Sequence, residues 1–224
     1  MKRVPKRWLL STLLFAVTWS GTAGANPFGY HEHDGFYLRF GGGVSLLDVN
    51  RETDRSGSQG SLAYEGSSEV NGVALNAEVS IGATPLRKLV IAATAVLLTM
   101  SSADLKLGSG ARLSLDSSQN VLLFAPTADV YLDPDRGFHF GGGLGFAMLR
   151  ANVDDTAFST IGGTGVGLTL HTGYDFWVGD DWCLGGQLRG VLAAVSGSQS
   201  TPTVSVSERD SIAAISLAFT ALYH

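Results

Sequence analysis

A single cysteine, Cys183, stands among 224 residues, so neither a disulfide framework nor a cysteine-rich zinc site can be built. Charge is scarce: 16% of residues are charged, against roughly 25% in soluble globular chains. Long hydrophobic runs are missing as well. The most apolar stretch, Leu89 to Met100, is rich in β-branched residues and reaches about 12 residues where a spanning helix needs ~20. Helical periodicity is sustained nowhere. A net charge of −5 supplies no electrostatic case for nucleic acid. Disorder is excluded in turn, because 45% of the chain is hydrophobic. What is plentiful is glycine, 29 residues, nearly double the usual ~7% share.

The first 25 residues read as a cleavable export signal. Lys2, Arg3, Lys6 and Arg7 form a basic start, Trp8 to Val17 a short apolar stretch, and Ala23-Gly24-Ala25 the small-residue pattern of a signal-peptidase site. Removing them takes away four positive charges and no negative ones, so the mature chain is more acidic. No cysteine follows the apolar stretch, which excludes a lipoprotein anchor. Residues 26–34 read as a short periplasmic lead-in and 35–224 as one domain.

That domain reads as strands divided by turn signals: 35–47, 72–83, 88–101, 120–133, 137–150, 163–178, 182–195 and 210–223. Phe36, Leu38, Phe40, Val44 and Leu46 share one face of the first, and Phe138, Phe140, Leu144, Phe146 and Met148 one face of the fifth. The third is apolar on both faces, so its register is open. Connections at Thr84–Arg87, Pro134–Arg136 and Gly179–Asp181 are tight. Those at 48–71, 102–119, 151–162 and 196–209 are long and polar. An even strand count with alternating short and long connections is the plan of bacterial transmembrane barrels.

Two closed barrels compete, and the placement of charge separates them. A soluble barrel has an apolar interior and a wet exterior; a membrane barrel inverts this. Within the strands the main ionisable residues are Arg39, Glu78, Asp129, His171, Asp175 and Arg189, all opposite the apolar face. Six groups cannot solvate an exterior, but they can satisfy one another in a lumen that eight strands leave nearly filled. The fold expected is therefore all-β, an eight-stranded antiparallel up-and-down transmembrane β-barrel. About a dozen aromatics, among them Phe36, Tyr37, Tyr131, Tyr174, Trp177 and Trp182, lie near the short turns or termini and read as a periplasmic girdle. Phe124 and Phe146 are the best candidates for a thinner opposite girdle.

On this strand pattern and the opening His33-Asp34-Gly35-Phe36-Tyr37-Leu38-Arg39, the chain resembles the small eight-stranded bacterial outer-membrane proteins. The likeness covers the whole mature chain by pattern. It implies residence in the outer membrane among its lipids. Leu217, Phe219, Ala221 and Tyr223 resemble the C-terminal signal that this class presents to the barrel-insertion machinery. Here His224 follows the aromatic, where the class usually ends on the aromatic itself.

Chemistry is harder to find. His31-Glu32-His33-Asp34 offers metal-ligating types only in a lead-in. Asp133-Pro134-Asp135 and Asp180-Asp181 are turn formers. The glycine-rich stretches around Gly41, Gly141 and Gly162 lack the lysine of a phosphate loop. His171 and Asp175, two steps apart on the lumen face, could orient each other toward a serine such as Ser80 or Ser216, as in a lipid-modifying enzyme; a buried structural histidine is the simpler reading. No cofactor or metal is expected. The function expected is a non-enzymatic outer-membrane barrel presenting mobile polar loops, with 48–71 as the contact surface for an extracellular ligand. The alternatives are a channel for small or hydrophobic compounds, a lipid-modifying enzyme, and a soluble lipocalin-like binder.

Overall fold

The computed structural model describes residues 35–57, 64–101, 103–107, 112–115, 117–133, 137–153, 161–200 and 204–224. The expected export signal and lead-in, the His31–Asp34 group and the turn at 134–136 lie outside the described residues. Among the described residues there are ten strands and no helix: β1 Gly35–Gly57, β2 Tyr64–Leu86, β3 Leu89–Met100, β4 Ala103–Leu107, β5 Arg112–Leu115, β6 Ser117–Tyr131, β7 Gly137–Val153, β8 Ile161–Trp177, β9 Trp182–Ser200 and β10 Val204–Tyr223. Eight long staves close on themselves in the order β1-β2-β3-β6-β7-β8-β9-β10, and β10 pairs back to β1. All these pairings are antiparallel. The short β4 takes up the line of β3 beside β2, and β5 pairs with β4 before the chain enters β6. The result is a closed eight-stranded barrel.

Its registers fix its shape. From Gly41 the paired residues run through Glu78, Val96, Leu123, Ala147, Gly165, Val195 and Asp210 and return to Arg51, ten residues further along β1. With a rise of about 3.4 Å and a strand spacing of about 4.8 Å, that shear tilts the strands by about 40°. The outward side chains from Phe36 to Leu46 on β1 are apolar or glycine. Those ten steps, so tilted, form a band about 25 Å tall, the height of hydrocarbon in an outer membrane.

Above the band the outward face turns polar on every stave: at Asp48, Asn71, Ser101, Asn120, Arg150, Thr164, Ser196 and Ser211. The tilt places these eight residues on one horizontal ring. Their inward-facing neighbours do the opposite. Leu47, Val49, Val70, Met100, Val121, Leu149, Val195 and Ile212 flank the ring residues and pack into a single buried apolar cluster with Leu98, Leu123 and Val191. Below the ring lipid lies outside, and the lumen holds the buried polar groups between this apolar cluster and a second apolar cluster at the lower end. At the ring the outer face is polar over the apolar cluster, and higher up Arg51 and Asp210 turn inward.

That exchange corrects the expected loops. Residues 48–57 and 64–71 continue β1 and β2, paired from Arg55↔Tyr64 downward, and β10 accompanies β1 up to Gly57↔Val204. The described residues of the expected loops 48–71 and 196–209 are thus largely paired strand, a collar on the barrel. Alternation persists through Leu47, Val49 and Arg51, but the outward partners become Asp48, Asn50 and Glu52 because water has replaced lipid.

The same layering resolves β3. Its outward face is Leu89, Ile91, Ala93, Ala95 and Leu97, and its inward face Val90, Ala92, Thr94, Val96 and Leu98. Both are apolar because the inward side crosses two apolar clusters. Three expected girdle residues are corrected too: Tyr37, Tyr131 and Trp177 point into the barrel. Outward, Phe36 and Trp182 pack on Tyr223, at 6.4 and 5.3 Å between ring centroids. His224 has its own place. Its ring lies 5.7 Å from Tyr37 and 5.5 Å from Trp177, and its N–H donates to the Asp181 carbonyl at 3.1 Å. It helps close the end of the barrel nearest the short turns, while Tyr223 keeps the lipid side.

Candidate functional site: a buried charged plug

Alternation sends Arg39, Glu78, Asp129, His171, Asp175 and Arg189 inward from five staves, and all six are buried. Arg39 is the hub. It is 0% exposed, its Nε donates to Glu78 at 3.0 Å, and Nη1 lies 3.1 Å from Asp129. Arg189 reaches the other oxygen of Glu78 at 2.6 Å. His171 Nε2–H donates to Asp129 at 2.7 Å. Tyr37 donates to the other Asp129 oxygen at 3.4 Å and lies under the guanidinium, 5.6 Å from ring centre to carbon.

Asp175 sits apart from the hub, which corrects one expectation. It pairs not with His171 but with His139, whose Nδ1 lies 3.2 Å away, and it accepts from the Tyr131 hydroxyl at 3.0 Å and Thr220 at 3.4 Å. The register decides this: Asp129, Gly141 and His171 stand side by side on β6, β7 and β8, with the glycine leaving the space between the two side chains, and His139 lies diagonally beside Asp175 across β7 and β8. His139 is the member that the sequence reading missed. Its signal was present, since it alternates with Phe138 and Phe140 and so shares the lumen face.

Hydroxyls complete the plug. Ser80 donates to Glu78 at 3.1 Å and lies 2.9 Å from Thr94, which is 2.8 Å from Thr127. Two glycines make room. A Cβ on Gly141 would collide with the Asp129 carboxylate, and one on Gly185 with that of Asp175. Here the glycine-rich stretches serve the plug.

Neither expected serine reaches His171. Ser80 is engaged as above, and Ser216 shares a 2.7 Å hydrogen bond with Ser45, which also accepts from Asn76. Among the described residues no group of three His, Cys, Asp or Glu side chains is placed to hold a metal ion. Cys183 is buried and unpaired, packed with Tyr37, Tyr131 and Leu222 in the floor. The expected assembly signal lies on the outward face of β10, where Leu217 and Phe219 are exposed.

A second ion pair stands in the collar. Arg51 Nε lies 2.6 Å from Asp210. Burial pushes the nearby Glu208 carboxyl above its usual range, with Arg51 opposing and Asp210 adding to the rise.

No family model matches the chain, and no curated protein matches it. Solved structures do. The outer-membrane protein OprG from Pseudomonas aeruginosa superposes with a TM-score of 0.57 at 11% identity, covering 88% of this chain and 100% of its own. The fold is that of the small outer-membrane β-barrels. Neisserial surface protein A matches at a TM-score of 0.41 and 16% identity, over 82% of this chain and 97% of its own. The outer-membrane protein AlkL in lipid bilayers gives 0.44 and 15%, over 89% and 94%.

Proposed function

We propose that the barrel is a sealed, non-enzymatic anchor in the outer membrane whose tall collar is its working surface outside the cell. One observation carries the reading. The lumen is packed at two successive levels, by the charged plug around fully buried Arg39 and by the apolar cluster around Leu98, Met100 and Leu149, each at most 1% exposed. Passage along the axis would have to displace both. The channel alternative therefore fits less well than display. The enzyme alternative fits poorly too, because His171 is committed to Asp129 and the inward serines are engaged elsewhere.

The collar offers what display needs. β1, β2 and β10 rise together past the polar ring and present Asp48, Asn50, Glu52 and Asp54 on one stave and Ser205, Ser207 and Arg209 on the next. An extracellular ligand would meet this framework at 48–71. The outward residues of β10 would serve the insertion machinery during assembly, and the band would contact outer-membrane lipid.

Labelling tests the orientation. The native thiol, Cys183, is buried, so Ser207→Cys supplies a clean probe. A membrane-impermeant maleimide should label it in intact cells. Labelling only after the outer membrane is breached would reverse the barrel and end the reading. The seal is checked in planar bilayers at neutral pH, where no steady conductance is expected.

A further inference from the structure

The outer wall carries two grooves in the upper part of the apolar band. Both run across the staves between successive rows of outward side chains, with backbone as their floor. The first, about 420 Å³, leads from Leu144 past Val166 and Ala194 to Ser211 and Asn50. The second, about 680 Å³, leads from Gly190 and Ile215 past Ala213 to Asp48 and Asn71. They lie one row apart and share Leu192 and Ala213. No residue of β3 or β6, on the far side of the barrel, lines either groove, so both open outward and neither enters the packed lumen. Their depth comes from a contrast in size: Leu46, Val73, Leu192 and Ile215 are each more than half exposed and stand around Ala213 and Gly190.

Strand tilt makes each groove climb toward the polar ring. Val166, Ala194, Ser211 and Asn50 are in register across successive staves. Yet Val166 and Ala194 lie two residues below the ring, Ser211 lies in it, and Asn50 lies two residues above. Likewise Leu192 lies four residues below Ser196 on its own stave, while its row ends at Asp48 and Asn71 in the ring. Each groove therefore begins in hydrocarbon and ends at water. The two high ends meet on β1, where Asn50 Nδ2 donates to Asp48 at 2.6 Å. Asn71 Nδ2 donates in turn to Glu69 at 3.0 Å. Both amides are so engaged, and no cation stands among the lining residues. The shared end is a set of acceptors under negative charge, with Glu52 and Asp54 above it on β1.

We propose that the two grooves hold the two acyl chains of one membrane lipid, with its neck at Asp48 and Asn50 and a head group that carries an amine. The inference rests on the outer-membrane reading above and names the lipid that this part of the band holds. Hydrocarbon surrounds the whole band, so the hydrophobic effect does not choose one place on it over another; close packing and polar contacts do. A chain lying in a groove meets side chains on both flanks and backbone beneath, and so gains contacts that a flat wall does not offer. At the high end an ammonium donates to Asp48. A head of net negative charge instead faces Asp48, Glu52 and Asp54 and is disfavoured.

Native mass spectrometry of the folded full barrel tests this, after reconstitution in vesicles of equal parts phosphatidylethanolamine and phosphatidylglycerol and release into mild detergent. The expected result is one diacyl lipid retained per barrel, enriched about threefold for the ethanolamine head, as an exposed charge contact gives. Ala213 is exposed on the lipid face, so Ala213→Phe fills the junction of the grooves without entering the core and should abolish retention. Ala93→Phe, on the outward face of β3, should leave it. Asp48→Asn should keep the lipid and remove the head preference. No retained lipid, retention that survives Ala213→Phe, or a head preference that survives Asp48→Asn overturns the site. Should Ala213→Phe fail to fold, lysophosphatidylethanolamine offered to the native barrel decides. With a single chain it should be retained far less than the diacyl lipid, and equal retention overturns the site. The Ser207→Cys labelling answers separately. Lipid retained by a barrel that labels only after breach keeps the site and ends the outward reading, whereas labelling in intact cells without retained lipid ends the site alone.

Discussion

The lower and upper halves of the lumen are both closed, and by opposite means. Below the polar ring Arg39, Glu78, Asp129 and Arg189 close it with directed ion pairs, each needing its partner at a particular angle. Nearer the ring Leu47, Leu98, Met100, Leu123 and Leu149 close it by contact alone. The exterior changes from hydrocarbon to water at the ring, a little above the level at which the lumen turns apolar, so that stretches such as Val96–Leu98 of β3 are apolar on both faces.

The contrast can be broken most forcefully at the hub. Arg39→Ala leaves Glu78 and Asp129 buried with a lost counter-ion, and urea unfolding of the folded protein should show a loss of about 3–5 kcal/mol. Leu149→Ala, its counterpart in the apolar layer, leaves a cavity and should cost about 3 kcal/mol. Conservative exchanges then sharpen the comparison. Arg39→Lys cannot reproduce a fork shared between two carboxylates and should lose about 2 kcal/mol or more. Leu149→Met, of similar volume, should cost less than about 1.5 kcal/mol.

The smallest effect belongs to the collar. Glu208 carries a raised carboxyl value through burial, so the folded chain holds that proton more tightly than the unfolded one. Its contribution is full below the unfolded value of about 4.3 and is lost as pH rises through the folded value. Glu208→Gln should therefore gain in urea midpoint relative to the native protein between about pH 4 and pH 7. A native profile as flat as the variant's would contradict the assignment.

Much of this was legible in the order of residues. Alternation of Phe36, Leu38, Phe40, Val44 and Leu46 with Arg39 and Ser45 requires a strand with two unlike faces, whatever its neighbours. The short turn near Arg87 and the one at Gly179–Asp181 require antiparallel hairpins. Even His139 was within reach of parity. The collar was less visible, because a strand between water and an apolar core, such as Asp48-Val49-Asn50-Arg51, resembles a polar loop unless its inward residues are followed past the lipid edge.

Period two thus determined, from sequence alone, which side chains enter the lumen, and the scarcity of charge on the other face determined what surrounds the lower barrel. Pairing inside the lumen was left to the tertiary structure. Each stave is displaced against the next until the circuit closes ten residues out of step. Register sets Asp129, Gly141 and His171 side by side on β6, β7 and β8, and His139 diagonally beside Asp175 across β7 and β8. Spacing along one strand carries no record of it, because a register exists only once the strands have paired.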